Sequence, residues 1–284
     1  MQLHHQNRSY TFDWRSRTYL MGILNVTPDS FSDGGLYDNV AAAIAQARQM
    51  MNDGADILDI GGQSTKPNAE EVTLEQELHR VIPIVTALRK DPSFDRIAVS
   101  IDTTKALVAK LAVEAGADMI NDVSGATFDG QMLATVAKLG VPIVLMHLRG
   151  TPKTMQQLTD YEDLTGEIIE FLRDRMAAAI VAGICSDRLI IDPGIGFAKT
   201  GEQSLELLRN IERFNVLNVP ILIGTSRKSF IGNILNQSDS TKRIWGTAAT
   251  CAAAIAHGAD ILRVHDVAEM ADVMRVSDAI WRNR

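Results

Sequence analysis

The chain has 284 residues, of which 46% are hydrophobic and 22% are charged, and its formal net charge is −7. This is the composition of a globular protein with a sizeable apolar core, and the negative charge disfavours a general nucleic-acid-binding protein. No apolar run approaches the roughly 20 residues that span a bilayer. The first residues lack the features of a signal peptide, and Cys185 and Cys251 have no metal-like spacing. We therefore expect a cytoplasmic protein with one domain over residues 1–284.

Apolar runs of strand length alternate with helix-like segments along the chain. The predicted strands cover residues 20–25, 57–61, 97–102, 119–122, 143–147, 189–192, 221–224 and 261–265. The predicted helices cover residues 39–52, 74–89, 105–114, 131–138, 161–182, 204–214, 241–257 and 268–281. Five of these helices are followed by a glycine that suits a left-handed C-terminal position. These glycines are Gly54, Gly116, Gly140, Gly183 and Gly258.

Strands that are apolar throughout and joined by helices indicate a parallel sheet covered by helices. Eight such units in about 250 residues predict an α/β fold of the (β/α)8 barrel type. A doubly wound open sheet is the alternative, but residues 25–35 lack the glycine-rich dinucleotide-binding pattern expected after its first strand. Alternation around Tyr10, Phe12 and Trp14 predicts a short N-terminal β-hairpin that plugs the lower end of the barrel.

Polar side chains stand at the end of every predicted strand. They are Asn25, Asp59 with residues 61–65, Asp102, Asn121 with Asp122, His147, Asp192, residues 226–229, and Arg263 with His265. A single Asp after a strand commonly caps the next helix, and Asp102 or Asp122 could do only that. Capping does not require amides, carboxylates, Arg, Lys and His at the ends of eight successive strands. We therefore predict a site at the carboxyl ends of the strands, where barrel enzymes hold theirs.

The charges in this set have an order along the chain. Residues 226–229 (SRKS) place two cations and two hydroxyls where a helix begins, and Arg263 and His265 share one face of the last strand. This half suits a phosphorylated ligand. Asp102, Asn121 and Asp192 suit a flat, nitrogen-rich heterocycle, because carboxylates accept hydrogen bonds from an amidine-like edge and an amide both donates and accepts.

Six motifs of the chain resemble those of dihydropteroate synthases. They are MGILNVTPDSFSDGG (21–35), IDT (101–103), IND (120–122), DPGIGF (192–197), SRKS (226–229) and RVHDV (263–267). The resemblance extends from Met21 to the end of the chain. It implies a transferase of folate biosynthesis that joins 6-hydroxymethyl-7,8-dihydropterin pyrophosphate to 4-aminobenzoate and releases pyrophosphate. It also implies a homodimer and binding of sulfonamide inhibitors.

The resemblance also implies a role for particular residues. Those implied to bind the pterin pyrophosphate are Thr65, Asp102, Asn121, Met146, Asp192, Lys228, Arg263 and His265. Those implied to shape the 4-aminobenzoate site are Phe31, Lys66, Pro67, Phe197 and Ser229. Asn25 is implied to help hold Mg²⁺ on the pyrophosphate. The catalytic set would be Lys228, Asp102, Asp192, Arg263 and His265. In this set the cations would stabilise the leaving group, and the carboxylates would favour the cationic methylene that it leaves behind.

The second loop departs from the family pattern. Residues 61–68 are GGQSTKPN, where the family usually has GGESTRPG. Gln63 removes a carboxylate, Lys66 replaces a forked guanidinium with a point charge, and Asn68 can still adopt a left-handed conformation. These changes concern the aminobenzoate pocket. No additional residues stand near Phe197 of the kind expected in acquired sulfonamide-resistant forms, so we expect sulfonamide sensitivity.

Two other functions remain open at this point. A pterin-dependent methyltransferase acting with a corrinoid protein shares the barrel and the pterin site, but would not need residues 226–229, Arg263 and His265 as a diphosphate pocket. A pterin-binding paralogue with weak or no synthase activity would keep the motifs. An assay of pyrophosphate release that depends on 4-aminobenzoate separates this second alternative from an active synthase.

Overall fold

Ten strands are present in the computed structural model, which describes residues 1–5, 8–26, 36–64 and 71–282. The first two, β1 (Gln2–His5) and β2 (Arg8–Thr11), form an antiparallel hairpin. The other eight are parallel. They are β3 (Tyr19–Asn25), β4 (Ile57–Gly61), β5 (Ala98–Asp102), β6 (Met119–Asp122), β7 (Ile143–Met146), β8 (Leu189–Asp192), β9 (Leu222–Ile223) and β10 (Ile261–Val264).

The parallel strands form a ring. Their hydrogen-bonded order is β8-β7-β6-β5-β4-β3-β10-β9. A single parallel bridge between Ile191 of β8 and Ile221, just before β9, joins the two ends of this series. The predicted barrel is confirmed, and the alternative of an open doubly wound sheet is wrong. The predicted strand over residues 221–224 is regular only over the two residues of β9.

Helices follow the strands and cover the outside of the barrel. The described helices are α1 (Leu36–Asp53), α2 (Leu74–Lys90), α3 (Ala106–Glu114), α4 (Met132–Leu139), α5 (Leu164–Val181), α6 (Gly201–Arg209), α7 (Ser229–Leu235), α8 (Ile244–Ala256) and α9 (Val267–Trp281). In this part of the chain, no helix is long and apolar enough to cross a bilayer.

Several helices differ from their predicted bounds, and α7 had no predicted bounds. The helix predicted from residue 161 begins at Leu164, because the Asp163 carboxylate caps it by accepting from Gly166 N at 3.0 Å. The helix predicted over 204–214 begins at Gly201 behind a capping box of Thr200 and Gln203, and a 3-10 turn replaces its second half. Helix α7 was missing from the predicted helices; with seven residues it is too short for a clear period.

One inward-facing residue from each parallel strand contributes to an apolar layer at the lower end of the barrel. These residues are Tyr19, Ile57, Ala98, Met119, Val144, Ile190, Leu222 and Ile261. The alternate residues of the same strands pack outward against the helices, as the two-residue period of a strand requires. Leu3, Tyr10 and Phe12 of the N-terminal segment pack against the inner layer. The predicted hairpin and its position are therefore confirmed.

The tripeptide Gly-Ala-Asp occurs before three strands, at residues 54–56, 116–118 and 258–260. Each glycine has a positive φ (109°, 119° and 96°), which ends the preceding helix as predicted. Each aspartate accepts a hydrogen bond from a backbone N–H of the neighbouring strand region, at 2.9, 2.9 and 3.0 Å. The sequence analysis identified the glycines but missed this role of the carboxylates. Each copy of the tripeptide therefore ends a helix with its glycine and binds the neighbouring strand with its aspartate.

Asp118, the second of these aspartates, provides a test of the lower end of the barrel. Its carboxylate is fully buried and is paired with Arg89 and, at 3.3 Å, with Arg8. Replacing Asp118 with Ala leaves buried guanidinium groups uncompensated, so the free energy of unfolding should fall by about 3–5 kcal/mol. Chemical denaturation measures this. The exposed pair of Asp272 and Arg275 supplies the control, since Asp272→Ala should change stability little. Equal losses in the two variants would contradict the role given to Asp118.

Candidate active site

A buried group of charged and polar side chains occupies the upper half of the barrel. Arg263 on β10 donates from Nε to Asp59 Oδ2 and from Nη2 to Asp102 Oδ2, both at 2.6 Å. Asn121 on β6 donates from Nδ2 to the same Asp59 oxygen at 3.0 Å. One guanidinium therefore holds the carboxylates of two adjacent strands, β4 and β5.

Asp59 received no role from sequence, although it was noted at the end of its strand. Its side chain is fully buried and shares the inner face of β4 with Ile57. Because Asp59 takes the amide nitrogen of Asn121, the amide oxygen of Asn121 is left for a ligand. The two-residue period of the strand was the available signal, since it places Asp59 inward together with Ile57.

Burial shifts the ionisation of the three central titratable groups. Burial raises the pKa of Asp102 to about 7, with Arg263 opposing the shift. Burial also raises the pKa of Asp192 to about 6, against the Gly194 N–H and Lys228. The pKa of Lys228 is lowered by burial to about 8, and Asp192 opposes this. The pocket therefore disfavours charge until a ligand supplies hydrogen bonds or an opposite charge.

Lys228 and Phe197 lie together above Asp192. Lys228 Nζ donates to Ile195 O at 2.9 Å and lies 3.9 Å from the centroid of the Phe197 ring. Asp192 Oδ1 accepts from Gly194 N at 2.7 Å. Phe197 also packs against a small apolar cluster that contains Met146, and Met146 is paired in register with Asp192. An open cleft has Asp102 and Phe197 among its walls.

The SRKS turn differs from the prediction in one respect. Two cations were expected to face a ligand here, but Arg227 forms a two-bond pair with Asp266. Arg227 has a φ of 60°, and Lys228 next to it donates to Ile195 O instead. Ser226 Oγ accepts from His265 N at 3.1 Å and lies 2.9 Å from His265 Nδ1, so the turn and β10 are tied together. Ser229 is the first residue of α7.

Asn25, the predicted Mg²⁺ ligand, ends β3 opposite Gly61. A Cβ added to Gly61 would make ordinary van der Waals contacts, at 3.7 Å from Asn25 Oδ1 and 3.4 Å from Asp102 Cβ, so both side chains lie beside this position. No group of three or more His, Cys, Asp or Glu side chains in the described ranges is arranged to hold a metal. A single amide oxygen nevertheless fits Mg²⁺, which commonly keeps waters and binds substrate phosphates.

Gln63 takes part in a network at the start of the second loop. Lys105 Nζ donates to Gln63 Oε1 at 2.8 Å and to Glu77 Oε2 at 2.6 Å. Thr103, next to Asp102, donates to Glu77 Oε1 at 2.6 Å. The sequence analysis gave no role to Glu77 or Lys105. Since Glu77 already supplies the carboxylate for Lys105, an amide at position 63 is sufficient as the further acceptor.

Other predicted site residues cannot be placed. Phe31, Thr65, Lys66, Pro67 and Asn68 lie outside the described residues. Two strand-end residues have other contacts. Asp122 Oδ1 accepts from Ser124 N and Oγ and is thus a turn residue, and His147 is hydrogen-bonded to Lys199.

The comparison with known proteins agrees with this geometry. Residues 21–265 match the family model described as pterin binding enzyme. The chain therefore belongs to the pterin-binding enzymes, a class whose barrel and polar strand ends it shares. Within this class, it is 56% identical over 271 residues to a dihydropteroate synthase of a Synechocystis strain, covering 95% of this chain and 93% of the relative. The chain is thus a member of the dihydropteroate synthase family.

Two solved structures extend this likeness to three dimensions. The dihydropteroate synthase of Xanthomonas albilineans with 4-aminobenzoic acid has a TM-score of 0.89 and 42% identity, covering 98% of this chain and 97% of that chain. The Yersinia pestis enzyme with a sulfonamide drug has a TM-score of 0.89 and 40% identity, covering 99% of both chains.

The raised pKa of Asp102 predicts a pH dependence of stability. Between about pH 4 and about pH 7, the folded protein binds more protons at this carboxyl than the unfolded chain does, so its contribution to the free energy of unfolding falls as pH rises. In the variant Asp102→Asn, this pH-dependent decrease in the free energy of unfolding should be absent. Denaturation without ligand across this pH range measures the slope. Asp91→Asn is the control, because the pKa of Asp91 is lowered to about 2 by hydrogen bonds from Ser93 and the group stays ionised throughout. An unchanged slope in Asp102→Asn would contradict the prediction.

Proposed function

We propose that this chain catalyses the synthesis of 7,8-dihydropteroate from 6-hydroxymethyl-7,8-dihydropterin pyrophosphate and 4-aminobenzoate. The observation that carries the proposal is the buried polar cluster around Arg263, which holds Asp59 and Asp102, while Asp59 holds Asn121. Asp192 and Lys228 are close enough to this guanidinium and to each other to interact electrostatically. We propose that these groups line one substrate pocket. Membership of the dihydropteroate synthase family supports the choice of substrates.

The pterin ring fits the polar half of this pocket. Its amidine-like edge offers N–H donors, and the ionised Asp102 and Asp192 carboxylates accept such bonds. The amide oxygen of Asn121 is available as a third acceptor, while Met146 supplies an apolar surface for the ring face. A bound ring thereby supplies the hydrogen bonds that make ionisation of these buried carboxylates favourable.

The leaving pyrophosphate needs positive charge on the other side of the pocket. The carbon–oxygen bond breaks with its electron pair going to the pyrophosphate, and Arg263, His265 and Lys228 stabilise that charge. We propose that Asn25 holds Mg²⁺, which supplies further positive charge to the pyrophosphate. The pair of carboxylates stabilises the cationic methylene carbon. The amine nitrogen of 4-aminobenzoate then bonds to that carbon and loses a proton to solvent, so no strong base is required.

The 4-aminobenzoate site is proposed beside Phe197 and Ser229. Phe197 lies against Lys228, and Ser229 follows Lys228 in the chain, so both border the pterin pocket. Phe31, Lys66 and Pro67 complete this proposed site. Thr65 is proposed to bind the pyrophosphate end of the pterin substrate.

We also propose that the protein works in the cytoplasm as a homodimer. Large apolar side chains are exposed on the last helices, with Trp245 80% exposed on α8, and Ile280 and Trp281 61% and 58% exposed on α9. Such a surface is typical of a protein–protein contact. Sedimentation velocity of the full chain tests the oligomeric state, and a monomer at all concentrations would contradict the proposal.

Lys228→Ala tests the proposed active site. We expect kcat/KM to fall by about 10²- to 10³-fold, because a preorganised donor at the developing charge is lost. Thermal unfolding should change little. The assay is pyrophosphate release that depends on 4-aminobenzoate, and Lys242→Ala on the surface is the control. A large stability loss with retained turnover would contradict the assignment. If the unaltered protein binds the pterin substrate but releases no pyrophosphate, the chain is instead a pterin-binding paralogue without synthase activity.

Sulfonamide sensitivity is a separate expectation. A synthase-deficient bacterial strain that depends on this gene should stop growing when a sulfonamide is added, because no extra residues enlarge the loop around Phe197. Added 4-aminobenzoate should restore growth by competition, which controls for unrelated toxicity. Growth at high sulfonamide concentration without that addition would contradict the expectation.

A further inference from the structure

The segment between β8 and α6, residues 193–199, has an unusual set of hydrogen bonds. Four consecutive backbone carbonyls, those of residues 195–198, each accept from a different side chain. The pairs are Lys228 Nζ to Ile195 O at 2.9 Å, Gln156 Nε2 to Gly196 O at 3.2 Å, Lys199 Nζ to Phe197 O at 2.8 Å, and Tyr161 OH to Ala198 O at 2.9 Å. Most backbone hydrogen bonds in proteins are made to other backbone groups. In this segment one such bond, from Phe197 N to Gly194 O at 3.0 Å, is joined by these four bonds from side chains.

Lys199 is the buried member of this set. It is 2% exposed, and an ammonium group is costly to bury without partners. Its second partner is His147 Nδ1 at 3.0 Å. Burial, followed by the charge of Lys199, lowers the pKa of His147 to about 2, so the ring is neutral and its Nδ1 can accept. His147 N in turn donates to Asp192 O at 3.0 Å, which connects this pair to the strand that carries a proposed pterin ligand.

Tyr161 holds the other side of the same peptide region. Its ring lies 3.8 Å from the Arg149 guanidinium carbon, and Arg149 is paired with Glu167 of α5. The hydroxyl therefore approaches Ala198 O from a ring that is itself fixed. Tyr161 was expected to begin a helix, but it lies before α5 and reaches the 193–199 segment instead.

Phe197 is the residue whose position these bonds determine. Its own carbonyl and that of Ala198 are bound, and its ring lies against Lys228. The path into Phe197 is also constrained. Gly194 has φ of 72°, and a Cβ added there would lie 2.1 Å from His147 O. The backbone on both sides of Phe197 is thus held in one arrangement.

We propose that Tyr161 and Lys199 are positioning residues that set the aromatic wall of the aminobenzoate site through the backbone of Phe197. The inference rests on the proposed role of Phe197 in that site. It predicts that loss of either donor weakens binding of 4-aminobenzoate and of sulfonamides more than binding of the pterin. Two proposed pterin ligands, Asp192 and Lys228, are bonded to this segment at Gly194 and Ile195, but neither of these bonds is made by Tyr161 or Lys199.

Tyr161→Phe is the most conservative test, since it removes one hydroxyl. We expect the KM for 4-aminobenzoate to rise about 3- to 10-fold, which corresponds to the loss of one hydrogen bond. The dissociation constant of sulfanilamide, measured with pterin pyrophosphate and Mg²⁺ present, should rise by a similar factor. The KM for pterin pyrophosphate should change less, by about twofold at most, because the substitution removes no hydrogen bond to a proposed pterin ligand. Lys199→Met should act in the same direction on aminobenzoate and sulfanilamide.

Tyr10→Phe is the matched control. Tyr10 OH donates to Ile97 O at 3.0 Å in the lower part of the barrel, so the same chemical change is made far from the cleft. This variant should lose stability but keep both KM values. If Tyr161→Phe behaves like Tyr10→Phe, or raises both KM values equally, the positioning proposal is wrong.

Phe197→Ala distinguishes failure of the proposed aminobenzoate site from failure of the proposed positioning role. If it leaves the KM for 4-aminobenzoate unchanged, the proposed site is wrong. If it raises that KM while Tyr161→Phe and Lys199→Met do not, the site stands and the positioning role fails.

Discussion

The sharing of Arg263 between Asp59 and Asp102 is the interaction on which the upper half of the barrel depends. Two carboxylates and a guanidinium are costly to remove from water, and they remain charged inside a protein only when each has a well-placed partner. The ring of strands provides this by directing side chains from β4, β5 and β10 to one point. The contiguous strand order β5-β4-β3-β10 brings Asp59 and Arg263 together, although they are 204 positions apart in sequence.

The same ion cluster links stability to function. Asp102 in this cluster and Asp192 near it are buried where ionisation is unfavourable, and this costs folding free energy above the ordinary pKa of an aspartate. A ligand that donates hydrogen bonds to these groups recovers part of that cost on binding. The pocket is therefore most stable when occupied, as expected when buried polar groups are retained for recognition.

Much of the architecture was predictable because it depends on local pattern. The apolar runs predicted the eight strands, and glycines such as Gly116 predicted the ends of helices.

The side-chain partners across the barrel were not predictable. A single sequence does not show which of several carboxylates binds Arg263, or that Arg227 is paired with Asp266. The short α7 and the two-residue β9 carry too few residues for a period. The donors to the Phe197 segment come from three separate regions of the chain, so only the fold reveals them. Gln63 was noted in the sequence as the loss of a carboxylate, and only the fold shows that its amide oxygen accepts from Lys105 beside Glu77.

The number of paired residues between neighbouring strands varies around the barrel. Most neighbouring strands share several paired residues, but β8 is joined to the next strand region by the single bridge between Ile191 and Ile221. Local opening is cheapest where the fewest hydrogen bonds must break. This seam lies between the strand that ends in Asp192 and the strand that leads to Lys228. Opening at this seam would break fewer hydrogen bonds than opening between β4 and β5, which share five paired residues and carry Asp59 and Asp102.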